Sequence, residues 1–295
     1  MEAVPARLSA WPDIRFRDQT SAVWLNLVCL DAPLVSIAWL GLFAEVFHFN
    51  FTAGHGVVLF LTAWLIYLAD RFADSRSLDV GAPRSLRHAF CLQHRRGWLA
   101  TILVIGVTDA IAVWTSIDAG TALVGGVVGT LALVHLLLNY ALGGAWPPLP
   151  LKECAVGALF AMGTLVALFP FPQPVPSSLL ISAAFFAGLC TLNCISIAFW
   201  ERELDEAQGK VSFATRFPEV GRHWVVILAI FAGAAAAVGA VICRDAAPLL
   251  GCVSLSSVFL GLIDRARDRI NRDQRTALAD LALLSPLFVA AFLKV

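Results

Sequence analysis

Nine apolar stretches follow one another along this chain with only short polar connections between them, and that pattern excludes most folds at once. The clearest, Ser178 to Trp200, carries no charged residue and is long enough to cross the roughly 30 Å hydrocarbon core of a bilayer as a helix. The others span approximately 21–47, 52–69, 97–115, 121–142, 154–170, 223–243, 248–263 and 276–293. Charged residues make up only 14% of the chain, against about 25% in soluble domains, and the mean hydropathy is +0.79. Alternation suited to a β-barrel is absent, so helices are the spanning elements. The expectation is an all-α, polytopic membrane bundle of about nine transmembrane helices, forming a single domain over 1–295.

The first twenty residues lack an apolar core, so the sequence predicts no cleavable signal peptide and leaves targeting to the first spanning helix. Charge placement orients the bundle. The N-terminal tail, 1–20, and the connections after the second, fourth, sixth and eighth stretches hold 19 of the 21 Lys and Arg residues; only Arg244 and Lys294 fall on the other side. By the positive-inside rule the tail is cytoplasmic and the C-terminus external. Zero net charge gives no attraction to nucleic acid. Seven cysteines lie mostly inside apolar runs without zinc spacing, which reads as small apolar side chains rather than a metal or disulfide framework. No pair of clearly interrupted helices argues for a transporter.

Acidic residues gather on the same face, in connections spanning about 70–96 and 201–222. Asp70 and Asp74 lie four residues apart at the end of the second stretch, and Glu201 and Asp205 repeat that spacing at the end of the sixth. An i,i+4 pair stacks two carboxylates on one helix face. They repel unless a cation lies between them, and Mg²⁺ is a hard ion that prefers oxygen ligands. With 21 acids in the chain, chance alone gives about 1.5 such pairs, so context separates these two from Asp264 and Asp268, which read as a solvated mixed-charge face. Glu203 and Glu206 read as solvated, and Arg84, Arg87, Arg95 and Arg96 as anionic-lipid contacts or orientation signals. His88 reads as interfacial. Within the hydrocarbon, Asp31, Asp109 and Asp280 are costly acids, while Glu45 suits an external boundary. Asn193 lies about two turns deeper than Glu201 and faces a polar cavity.

The segment Glu201-Arg202-Glu203-Leu204-Asp205, followed by Gly209, Lys210 and Ser212, resembles the second acidic motif of the UbiA superfamily of intramembrane prenyltransferases. Tyr140 and Lys152 suit that family's Tyr and Lys after its fourth helix, with Gly157 and Gly163 on the next one. The first motif departs from the family pattern: Asp70-Arg71 and Asp74 are present, but Ile66 and Tyr67 replace an Asn-Asp pair. The resemblance implies transfer of an isoprenyl group from a diphosphate to a lipophilic, aromatic acceptor in a bacterial inner membrane. Asp70, Asp74, Glu201 and Asp205 would be catalytic as Mg²⁺ ligands. Arg71, Arg84, Tyr140, Lys152, Asn193 and Lys210 would bind substrate. A terpene cyclase without external acceptor, and a non-catalytic lipid-binding protein, are the alternatives.

Overall fold

A computed structural model of the chain describes residues 16, 19–76, 83–142, 151–217, 219–220 and 223–293. Most of the N-terminal tail, Asp79, Trp146 to Pro150, Pro218, Arg222 and Lys294 lie outside the described residues. Those described form helices without strands. In hydrocarbon each backbone N–H and C=O must be paired within the protein, and a helix does this from its own residues.

The chain runs through α1 (Ser21–Leu27), α2 (Asp31–Phe47), α3 (Ala53–Arg76), the short α4 (Leu86–Gln93), α5 (Arg95–Ser116), α6 (Ala119–Leu142) and α7 (Leu151–Val166). It continues through α8 (Ser177–Ala207), α9 (Phe213–Arg216), α10 (Trp224–Ile242), α11 (Ala247–Arg265), α12 (Arg272–Ala282) and α13 (Ser285–Leu293). Six of these helices are long and apolar enough to span a membrane, and α1 with α2 makes a seventh candidate if counted as one bent span. The protein is therefore an integral membrane helical bundle.

Two of the nine apolar stretches are broken, which overturns the expectation of uninterrupted helices. The first bends by 97° between α1 and α2. Its hinge is Cys29 at φ 58°, where the Leu30 N–H reaches back to Leu25 O at 2.9 Å and the Cys29 N–H to Asn26 O at 3.2 Å. Those are the two bonds of a Schellman C-cap, here closed by a residue other than glycine. The ninth stretch breaks at Leu283–Leu284 into α12 and α13. Indole N–H groups take up carbonyls left open at both breaks: Trp64 donates to Val28 O at 2.9 Å and Trp39 to Leu283 O at 2.8 Å. At the second break, Ser285 Oγ also donates to Cys252 O at 3.0 Å.

The core centres on α2 and α8, where Trp39 stacks on Phe186 at 4.3 Å and Phe43 packs beside both. Small residues allow close helix approaches, which matter because lipid tails are as apolar as leucine and helices are held together by packing and interhelical hydrogen bonds. A Cβ at Gly157 on α7 would lie 2.7 Å from both Ala187 O and Thr191 N of α8, and would also meet the Thr191 hydroxyl. Elsewhere, α5 and α6 turn most of their apolar surface outward. Just 11% and 6% of their spans are buried within the protein.

Candidate functional site: an acid–base cluster at one end of the bundle

At 31 residues, α8 extends about 46 Å, well beyond the hydrocarbon thickness. Its last two turns therefore carry Glu201 and Asp205 past the apolar slab, beside the end of α3 that carries Asp70, Arg71 and Asp74. Gly209 terminates α8 at φ +65°, a conformation that a Cβ disfavours. The Gly209 N–H bonds Glu206 O at 3.1 Å and the Lys210 N–H bonds Asp205 O at 2.8 Å, another Schellman cap. That turn throws Lys210 back across the bundle end, where its Nζ reaches Asp74 Oδ2 at 2.9 Å. One glycine thus ties the two acidic segments into one site, through a lysine and an aspartate 136 residues apart.

The second tie is Arg87 on α4, which forms an ion pair with Glu201. Glu201 is buried and also accepts from Thr276 Oγ1 of α12 at 3.3 Å. The sequence pattern suits Arg87 to lipid headgroups; the structure has it grip a carboxylate instead. His88, assigned to the interface, is buried, with Nδ1 3.0 Å from Ser85 Oγ and Nε2 3.9 Å from Asp74 Oδ2. Burial, followed by the charges of Arg87, Lys210 and Arg71, holds its imidazole well below the usual value, so it stays neutral near pH 7.

Between these ties lies Arg71. It is 8% exposed, its electrostatic neighbours are Cys29, Asp31, Asp70 and Glu201, and one guanidinium nitrogen is buried without any partner. Its side chain makes no hydrogen bond to a described residue. A buried, unbonded guanidinium is costly and marks a place built for an anion. Lys152, at the start of α7, acts on Asp70, Asp74 and Asp205 from the third side.

Of the residues named from sequence, Asp70, Asp74, Glu201, Asp205, Arg71, Lys152 and Lys210 come together here. Arg84 lies at the rim, among the charges acting on His88. Two do not join. Tyr140 is 70% exposed on the outward-facing α6. Asn193 donates to Asp280 Oδ1 at 2.8 Å, deeper in the bundle, and so serves a different cluster. Asp264 is also corrected: it is buried and accepts from Trp200 Nε1 at 2.8 Å, rather than forming a solvated face. Asp109 has its own interhelical donor, Thr62 Oγ1 at 2.9 Å, and Glu45 is exposed. Sequence reasoning missed Glu153, buried on α7, which accepts the first N–H of α9 from Phe213 at 2.9 Å. Its position in the first turn of an apolar helix was the available signal.

No three acid, histidine or cysteine side chains among the described residues are grouped to hold a metal ion. The donor chemistry still suits a hard cation in the presence of phosphate. Asp70 and Asp205 form no ion pair with a described residue, and Mg²⁺ is characteristically bound by one or two carboxylates together with substrate phosphate oxygens rather than by an all-protein cage. Comparison with protein-family models, curated proteins and solved structures finds no match to this chain.

Proposed function

We propose that this protein is a UbiA-like intramembrane prenyltransferase, with nine spans when each broken stretch counts once. In this reading it moves an isoprenyl group from a polyprenyl diphosphate to a lipophilic, aromatic acceptor. Its place is a bacterial inner membrane, with the N-terminus and the acid–base cluster cytoplasmic and the C-terminus external. The observation that carries this reading is Arg71, a buried guanidinium with one nitrogen lacking a partner and no hydrogen bond to a described residue, set among cations that also flank two acidic pairs. Arg71, Lys152 and Lys210 would pair with phosphate oxygens, since charge-assisted bonds to anions are the strong ones. Asp70 and Asp205 would hold Mg²⁺, which when bound neutralises charge on the departing diphosphate. Lys210 would exchange Asp74 for phosphate, while Arg87 keeps Glu201 in place. The apolar helices would receive the isoprenyl tail and exclude water from its allylic carbon, where the acceptor attacks.

A second reading is favoured by a specific observation. Asp74 and Glu201 already have cationic partners in Lys210 and Arg87, as a structural salt-bridge cluster in a non-catalytic lipid-binding protein would. Calorimetry on purified protein separates the two, using geranyl and farnesyl diphosphate with and without Mg²⁺. The transferase reading expects Mg²⁺-dependent binding that is lost in Asp70→Asn and Asp205→Asn. Absence of binding by folded wild type at every chain length leaves the lipid-binding scaffold. Diphosphate release without added acceptor would indicate a cyclase.

A further inference from the structure

In the transferase reading, isoprenyl transfer releases a proton from the acceptor, while the acids at the bundle end serve Mg²⁺ or their cationic partners. Two further acids, one helical turn deeper, are built to take that proton. Asp280 is hydrogen-bonded to Asp31 carboxyl to carboxyl, which requires a proton between them. Every oxygen of the pair also accepts an N–H. Asp31 Oδ1 accepts from Ala32 at 2.9 Å and Asp31 Oδ2 from Asn26 Nδ2 at 2.6 Å. Asp280 Oδ2 accepts from the same Asn26 nitrogen at 3.2 Å and Asp280 Oδ1 from Asn193 Nδ2 at 2.8 Å. Carboxyl groups that share one proton keep room for a second, as paired catalytic acids do. A carboxyl has about four acceptor positions, so Asp280 retains an open one.

Depth places the pair beside the reacting carbon. Thr276, which bonds Glu201, and Asp280 are four residues apart on α12, as are Arg71 and Tyr67 on α3. Asp280 and Tyr67 therefore lie about 6 Å below the diphosphate cluster, on the side where an allylic carbon hangs from its leaving group. Tyr67, Cys194 and Asp280 are deep in the bundle, yet each keeps accessible surface. They line interior space rather than close-packed core. Tyr67 has Asp31, Asp280, Cys190 and Cys194 as electrostatic neighbours and sets its ring edge-on to Phe160 of α7 at 6.3 Å. Its hydroxyl makes no hydrogen bond to a described residue.

The uncommitted groups define what fits there. Asn193 Oδ1 is buried without a partner, Asp280 has its open acceptor position, and the Tyr67 hydroxyl can turn either way. Such a place takes a ligand that donates a hydrogen bond. Arg71 acts on Asp31 and Arg87 on Asp280, but neither guanidinium is hydrogen-bonded to these acids, and Arg87 holds Glu201. A carboxylate on the acceptor would meet the charge of the pair without a cation of its own.

Resting on the transferase reading, we propose that the Asp31–Asp280 pair is the general base of the transfer and that its acceptor is a neutral, hydroxyl-bearing aromatic ring rather than an aromatic carboxylate. The hydroxyl donates to Asp280, with the ring against Tyr67. As the bond between the allylic carbon and diphosphate oxygen breaks, its electron pair leaves with the diphosphate. The hydroxyl proton passes to Asp280 while the shared proton settles on Asp31. The electron pair freed on the acceptor forms the new bond to the allylic carbon, at oxygen or at the adjoining ring carbon. In the second case the hydrogen on that carbon returns to the oxygen.

Full-length protein in nanodiscs is titrated calorimetrically with naphthol, its methyl ether and hydroxynaphthoate, and separately with geranyl diphosphate and Mg²⁺. The proposal expects naphthol to bind at least about tenfold more tightly than either analogue. Asp280→Asn should erase that preference and slow naphthol prenylation about 100-fold, while Mg²⁺-dependent diphosphate binding persists. Glu45→Gln should change none of these. Equal binding of the three naphthalenes by folded wild type overturns the proposal, as does undiminished turnover in folded Asp280→Asn. Absence of diphosphate binding with the naphthol preference intact overturns the transferase reading, and the base role with it, leaving Asp280 as a hydroxyl-binding group. The wild-type preference decides the matter if Asp280→Asn fails to fold.

Discussion

Two acidic clusters sit in one bundle and are held by different kinds of partner. At the bundle end, Asp74 and Glu201 face the Lys210 and Arg87 side chains. At the junction of the broken helices, Asp31 and Asp280 face the amides of Asn26 and Asn193. Cation partners are long, jointed side chains that can trade one anion for another. Amide partners are short and fixed by their helices. The first cluster is suited to exchange with an incoming anion and the second to holding its geometry while buried.

Substitutions can break that contrast. Asn26→Leu keeps volume but strips two carboxylates of a shared donor, and should cost about 3–5 kcal/mol of stability in thermal or denaturant unfolding. An unchanged midpoint would show that the junction does not depend on the amide bridge. Glu201→Gln leaves Arg87, whose side chain is 15% exposed, without its counter-charge and should cost about 2 kcal/mol by the same measurement. Lys210→Met tests exchange rather than holding. It should weaken Mg²⁺-diphosphate binding about tenfold by calorimetry, yet shift stability by less than about 1 kcal/mol because the pair is partly solvated. Arg202→Gln removes the exposed i,i+4 pair with Glu206 and should change stability by no more than about 0.5 kcal/mol.

Hydropathy alone located the spanning helices. α5, α6 and α10 match their apolar stretches within a few residues because lipid-facing helices satisfy their backbones internally and need little from neighbours. The breaks went unread although the chain announces both. Pro33 lies in the first turn of α2 and Pro286 in the first turn of α13, where a missing N–H costs nothing. Asp31-Ala32-Pro33 is a helix start hidden inside an apolar run. The acid pairs at 70/74 and 201/205 were legible through their helical spacing. Their partners were not, because Arg87 and Thr276 reach Glu201 from helices remote in sequence. Asn193 pointed correctly to a polar interior but to the wrong cluster, since the donor–acceptor match with Asp280 exists only once α8 and α12 are packed.

The notch at Gly157 bears on distance more than on stability. Two helices held backbone to backbone at that point act as a ruler whose zero mark is fixed, and Lys152 stands five residues along one edge of it. Sliding α7 by a single turn would carry that ammonium about 5.4 Å, enough to exchange one ionic neighbour for another. A hydrogen at position 157 therefore calibrates where a positive charge stands relative to Asp205, although the glycine touches neither group.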